Sequence, residues 1–286
     1  MINLFVKTQA VKTTDLFSGR EVVIATMHGK GKVIEPVLQS LGMRMKDSIE
    51  LDTDQFGTFS GEIERIDDPL TTLRNKCIHA REHTNIDLVI ASEGSFGAHP
   101  LIPYAVADEE LLMLKDFKND LEIVVKELST ETNFDSLKVQ NDDELAEFAN
   151  KVGFPHHALI LRTDEKIEKG IKDANTLQAV FKEFIKDAHF VHVETDMRAM
   201  NNPSRMRVIE RVATKLKIAI ESYCPECHMP DFTIKDVVTG LPCSWCGLPT
   251  NSIRLTLRVC KFCGLRHEMP VVKNVEDPMY CNHCNP

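Results

Sequence analysis

Val22-Val23-Ile24-Ala25-Thr26-Met27-His28-Gly29-Lys30-Gly31-Lys32-Val33-Ile34-Glu35-Pro36-Val37-Leu38-Gln39-Ser40-Leu41-Gly42 decides the fold class. Four apolar residues read as a short strand, Thr26 to Gly31 as a loop, and Lys32 onward as a helix closed by Gly42. The same grammar recurs downstream. Ser48 to Leu51 reads as extended, and Asp68-Pro69 opens a helix with proline at its first position. Asp87 to Ala91 reads as a buried strand, and Leu111 to Val125 as a hairpin about Lys118-Asn119-Asp120. Asp142 to Val152 reads as a helix, and His157 to Leu161 as extended. Asp173 to Asp187 reads as a helix with Leu177, Val180, Phe181, Phe184 and Ile185 on one stripe. A strand at Phe190 to Val193 precedes a long helix from Pro203. The alternation predicts an α/β domain over residues 1–221, with a mixed or largely parallel sheet flanked by helices.

From Ser222 the pattern changes to turns, prolines and cysteines. Residues 222–286 hold Cys224/Cys227, Cys243/Cys246, Cys260/Cys263 and Cys281/Cys284, four Cys-x-x-Cys pairs. Two such turns supply the four thiolates of a tetrahedral zinc site, so four turns predict a small double zinc ribbon with two structural zinc ions. The gaps of 15 residues (Cys227 to Cys243) and 17 residues (Cys263 to Cys281) match a zinc ribbon; the middle gap is 13. Spacing favours sequential pairing, and an interleaved pairing stays open. Iron–sulfur ligation is the weaker alternative. Gly247 and Gly264 follow their second cysteines, where positive φ lets amides face sulfur. Thr256 to Val259 and Val271 to Lys273 supply residues for short ribbon strands.

The chain has 286 residues, 43% of them hydrophobic, enough for a sizeable core. A net charge of −9 argues against a generic nucleic-acid binder, whose footprint would be basic. No apolar run approaches the roughly 18 residues of a membrane span. The first residues lack the apolar core of a signal peptide. A cytoplasmic location is expected, which disfavours disulfides. Cys77, the ninth cysteine, reads as a buried small hydrophobe.

Three polar clusters fall where strands should end. Lys30 and Lys32 flank a glycine loop at a helix start, suited to an anion. Asp52 and Asp54 alternate onto one strand face, and Glu93 ends another strand, where Gly94 and Gly97 would give a ligand close access. Glu194 and Asp196 alternate towards Arg198 and Arg205, with Asn202 as N-cap and Pro203 as first helical residue. The last cluster admits two readings, a ligand site or a buried salt-bridge network. His156-His157 after Phe154-Pro155 reads as a solvated loop, with a site edge as the alternative.

The runs ATMHGKGKVIEPVLQSLG, DTDQFGTFSGE, ASEGSFGAHP, ETDMRAMNNPSRM and LPCSWCGLPT resemble an uncharacterised bacterial family of unknown function. Residues 20 to 125 are also similar to the inosine/xanthosine triphosphate pyrophosphatases: Ala25-Thr26 opens the turn, and Glu93-Gly94 resembles the acidic strand end. His28 stands where that family has asparagine, and Lys32 is displaced by one residue. The second resemblance implies lysine on phosphates and carboxylates on Mg²⁺.

The functional expectation is a cleft for a phosphorylated small molecule such as a nucleotide. As an enzyme, the protein would be a Mg²⁺-dependent nucleotide hydrolase. Asp52, Asp54, Glu93, Glu194 and Asp196 would hold the cation or act as general base. Lys30, Lys32, Arg198 and Arg205 would contact phosphate. The alternative makes the ribbon a docking surface for protein or nucleic acid, through Arg254, Arg258, Lys261, Arg266, Trp245 and Phe262, with the α/β domain as scaffold or sensor.

Overall fold

The computed structural model describes residues 16–46 and 68–286. Two compact units divide the chain, Ser18–Lys217 and a second that holds Ile218–Pro286. The first unit begins with β1 (Glu21–Ala25), α1 (Gly31–Leu38), β2 (Arg44–Met45), α2 (Pro69–Thr84), β3 (Leu88–Ala98), β4 (Val106–Asp116) and β5 (Leu121–Ser129). They form a five-stranded mixed sheet in the order β2-β1-β3-β4-β5. β1 is parallel to β2 and β3, whereas β3, β4 and β5 form an antiparallel meander. The extended stretch expected at Ser48 to Leu51 lies outside the described residues; the strand beside β1 is Arg44–Met45.

Local chemistry sets the ends of these elements. The Asp68 carboxylate caps α2 by accepting from the amides of Leu70 (3.0 Å) and Thr71 (3.2 Å), with Pro69 at the first position. A short 3₁₀ turn extends α1 to Gly42, whose φ of 74° stops it. α2 packs Leu73, Cys77 and Ala80 against Val23, Ala25, Val89, Ala91 and Met113 on one sheet face. Cys77 is buried there, and burial raises its thiol pKa to about 12, so it stays protonated. The opposite face carries Ile24, Ile90, Leu112, Leu114 and Ile123, all buried.

The chain then adds β6 (Ser136–Val139), α3 (Asp142–Val152), β7 (Leu159–Arg162), β8 (Ile167–Ile171), α4 (Ala174–Phe184) and β9 (Val191–Thr195). These strands form a second, antiparallel sheet in the order β6-β9-β7-β8. Each β-α-β unit is split by a strand of the other, so the alternation legible in sequence yields two sheets. Val139, Leu159, Leu161, Val191 and Val193 pack against Leu145 and Phe148 of α3 and Leu177 and Phe181 of α4. α5 (Pro203–Glu221) follows. It lies on the first sheet: Arg211 Nη2 donates to Ser129 Oγ (2.9 Å), and Lys215 pairs with Glu127 (2.6 Å). Its own Val208, Ile209, Val212 and Leu216 are buried, each contributing roughly 1.5–3 kcal/mol.

The second unit is an antiparallel meander of β10 (Ile234–Thr239), β11 (Ile253–Val259) and β12 (Arg266–Pro270). Val271 to Lys273, expected as a strand, lies past the end of β12. No residue of these three strands is buried. A small apolar cluster of Cys224, Phe232 and Cys260, with Leu265 against it, sits at one end. Among the described residues no helix is long and apolar enough to cross a membrane.

Candidate functional site

β1 stops at Ala25, opposite Ala91, but β3 continues to Ala98 and stays paired with β4 throughout. Beyond Ala25 the loop takes over from the strand, and Thr26 Oγ1 meets Ser92 Oγ at 2.9 Å. β1 has parallel neighbours on both sides, and the carboxyl end of such a strand is where connections diverge and a crevice forms.

Charged residues gather at this end. Lys30, Lys76, Glu93, Glu110 and Arg205 are each no more than 9% exposed. Arg205 Nε donates to Glu110 Oε1 at 2.6 Å, and its Nη1 donates to the Met197 carbonyl at 2.5 Å. The guanidinium lies 5.0 Å from the Phe96 ring centroid. Lys30 Nζ stands 3.5 Å from Glu110 Oε2. Lys76 Nζ donates to Glu93 Oε2 at 2.5 Å and to the Ser92 carbonyl at 3.2 Å. Burial pulls the Lys30 ammonium down to about 8; Glu110 opposes this, while Arg205 and Lys76 add to it.

Gly94 explains how Arg205 and Glu110 fit. A Cβ there would stand 2.5 Å from both Arg205 Nη2 and Glu110 Oε1. The glycine expected to admit a ligand instead admits an internal ion pair. Asp108, two residues before Glu110 on the same face of β4, is fully buried, and among the described residues neither carboxylate oxygen has a hydrogen-bond partner. Burial, then the neighbouring Glu110 charge, pushes its pKa up to about 7.

The loop before α1 completes the crevice. His28 and Gly29 are left-handed (φ 62° and 73°), and Lys30 returns to right-handed backbone. Such an alternation turns successive N–H groups towards one concave side, a geometry that holds anions. A Cβ on Gly29 would lie 3.8 Å from Met200 Cβ, so this loop abuts the one between β9 and α5.

In that second loop the buried Asp196 carboxylate accepts from Arg198 Nη2 (2.6 Å), the Arg198 amide (3.0 Å) and Asn201 Nδ2 (2.7 Å). Gly170, φ 76° at the β7–β8 bulge, makes room: its Cβ would stand 3.2 Å from Arg198 Nη2. Asn202 caps α5 by accepting from the Arg205 amide (3.0 Å). Asp196 and Arg198 thus form the salt-bridge network that the sequence allowed. Glu194 pairs with Arg162 at 3.3 Å, on the sheet face opposite α3 and α4. A cavity of about 320 Å³ opens there, lined by Phe134, Ile160, Arg162, Glu194, Met197 and Arg198 among others.

Lys30, Glu93 and Arg205 therefore converge, and Glu194, Asp196 and Arg198 form a neighbouring group. Lys32 is exposed on α1. Asp52 and Asp54 lie outside the described residues. Sequence reasoning missed Lys76, Asp108 and Glu110. Their signal is faint: acids on a strand read as solvent-facing, unless β4 is seen to begin at Val106. His157, expected in a solvated loop, is half-buried and shares a 2.9 Å hydrogen bond between Nε2 and Ser204 Oγ.

The cysteines form two groups, Cys224/Cys227/Cys260/Cys263 and Cys243/Cys246/Cys281/Cys284, with the sulfurs of each within 4.8 Å of one another. Pairing is interleaved, which corrects the sequential order favoured by spacing. The meander is the cause. β11 has seven residues and spans about 23 Å, so consecutive knuckles fall at opposite ends of the ribbon. Sulfur separations are 3.6 Å (Cys224–Cys263), 3.4 Å (Cys227–Cys260), 3.9 Å (Cys243–Cys284) and 3.6 Å (Cys246–Cys281). A tetrahedron with metal–sulfur bonds of about 2.3 Å has edges of about 3.8 Å, so the donor set fits one ion per group. His228, Gly247 and Gly264 each follow a second cysteine with positive φ, and each amide bonds back to the carbonyl of the first.

Residues 76–286 match the family model described as a domain of unknown function (DUF6671). The chain belongs to this family. The DUF6671 match begins within α2 and takes in Lys76, Glu93, Asp108, Glu110, Arg205 and all eight paired cysteines; Lys30 precedes it. No characterised protein matches the chain.

Proposed function

We propose that the first unit binds a phosphorylated small molecule, a nucleotide among them, at the carboxyl end of β1. The observation that carries this reading is the gathering of Lys30, Lys76 and Arg205 against Glu93 and Glu110, beside the concave amides at Gly29 and Lys30. Among the described residues three cationic side chains stand beside the carboxylates of Glu93 and Glu110, a setting that draws a phosphate to the neighbouring concave amides. Catalysis, where it occurs, is metal-assisted hydrolysis. Glu93 and Glu110 are each engaged by a cationic side chain, so Mg²⁺ would enter with the substrate phosphates. The test is calorimetry, thermal shift and phosphate release with nucleoside mono-, di- and triphosphates, with and without Mg²⁺. Binding that Lys30→Met abolishes supports the site; no shift and no turnover with any of them overturns it.

We infer that both cysteine groups hold structural Zn²⁺. Four thiolates close the coordination shell, and the strands between them have no core of their own, so the metal supplies folding energy. Elemental analysis should find two zinc ions per chain. Iron with visible charge-transfer bands would overturn this assignment.

A second reading gives the ribbon a docking role, and one observation directs it towards protein. Residues 222–286 carry six Lys or Arg and six Asp or Glu, so they lack the net basic charge that favours nucleic acid. Trp245, the single tryptophan, is 80% exposed on the knuckle that shares a cysteine group with the exposed Met279-Tyr280 turn. Salt-sensitive binding of an oligonucleotide, seen as a change in Trp245 emission, would sink the protein-docking reading.

A further inference from the structure

The cavity on the second sheet has walls of unlike chemistry. Phe134 stands at the rim, 41% exposed, its ring stacked on Phe96 at 5.5 Å and 24°. Ile160 and Met197 are buried apolar lining. Glu194 and Arg162 sit side by side at 3.3 Å, with side chains 29% and 34% exposed, a partly solvated acceptor beside a donor. The cavity also adjoins the anion crevice. Arg205, which bonds Glu110, donates to the Met197 carbonyl and lies against Phe96, the ring that supports Phe134.

We propose that this cavity binds a guanine-type base, the base of the phosphorylated ligand whose reading it rests on. A volume of about 320 Å³ lies at the small end of ligand pockets and suits one heterocycle with its sugar. An aromatic rim offers stacking to any base, so the polar pair must supply the choice. Guanine presents O6 and N7 as acceptors and its ring N–H and 2-amino group as donors. An arginine donating to O6, beside a carboxylate accepting from the ring N–H and 2-amino group, matches one edge of the base. Adenine offers its acceptor where Glu194 also accepts, and two acceptors repel. The nearby guanidinium of Arg205 then leads from the base to the phosphate crevice.

The test is calorimetry on the full chain with GMP, IMP, AMP, guanosine and ribose 5-phosphate. GMP should bind about tenfold tighter than AMP, with IMP between them because it lacks the 2-amino group. Glu194→Gln should erase the preference and leave ribose 5-phosphate unchanged. Phe134→Ala, at an exposed rim, serves if Glu194→Gln misfolds; it should weaken every base-bearing ligand and spare ribose 5-phosphate. Equal affinity for GMP, AMP and ribose 5-phosphate overturns the base site and leaves the phosphate site standing. Guanosine binding as well as GMP, insensitive to Lys30→Met, overturns the phosphate site and leaves the base site. No binding by any of the five overturns both.

Discussion

Arg205 and Glu110 are 95 residues apart in sequence, yet Arg205 Nε meets Glu110 Oε1 at 2.6 Å with both side chains almost wholly buried. The pair ties the first turn of α5 to the middle of the meander. Removing one partner leaves the other charge buried. Arg205→Met or Glu110→Gln should therefore lower unfolding free energy by about 3–5 kcal/mol. Arg205→Met combined with Glu110→Leu should recover much of the loss. Urea titration checks both, and additive losses in the double variant would contradict the pairing.

Gly94 and Gly97 lie three residues apart on β3 and should respond very differently to alanine. A Cβ at Gly94 collides with the buried ion pair, whereas one at Gly97 meets nothing within 4 Å. Gly94→Ala should cost about 3 kcal/mol or more, and Gly97→Ala roughly 0.5 kcal/mol or less. Thermal melts of the two variants side by side give the answer.

Asp108 makes stability fall as pH rises. Its folded pKa of about 7 lies above the ordinary 3.8, so the folded state binds the extra proton between those values. The contribution is complete below pH 4 and is lost as pH rises through 7, amounting to a few kcal/mol at about 1.4 kcal/mol per unit. Asp108→Asn should flatten that decline. Lys30 acts with the opposite sign in another window: its folded pKa of about 8 lies below 10.5, so stability rises between those values. Denaturation from pH 5 to 10 resolves the two.

Interleaved pairing makes a counting prediction. Cys227 and Cys260 belong to one group, and Cys227 and Cys246 to different ones. Cys227→Ser with Cys260→Ser should keep one metal equivalent, and Cys227→Ser with Cys246→Ser none. Sequential pairing gives the reverse. Chelation of the wild type should unfold residues 222–286, read as lost exchange protection.

Elements with local signals were legible in sequence. α3 is bracketed by its Asn141 cap and by Gly153 at φ 84°, and α5 by Asn202-Pro203 at its start. All eight cysteines of the two groups were legible, because a chelate needs their spacing. Their partners were not: a residue count between knuckles does not register that an extended strand carries the chain to the far end. Lys30, Glu93 and Arg205 were legible as polar residues at strand and helix ends. Glu110 and Asp108 were not, because charge on a strand reads as exposure, and only burial beneath α5 reverses that. β8 was hidden by Glu168, Lys169 and Gly170, which break the apolar alternation.

The eleven-residue β3–β4 ladder outlasts the three-residue pairing of β1 with β3. The surplus rungs carry both Gly94 and Glu110, and side chains alternate from rung to rung. A single-codon insertion within 111–116 would turn Glu109 onto the face that Glu110 now holds and Glu110 away from it, erasing the crevice while leaving composition almost unchanged. The same insertion at the 99–105 tip would leave every rung in phase. Length variation among relatives should therefore collect at the tip and stop at Val106.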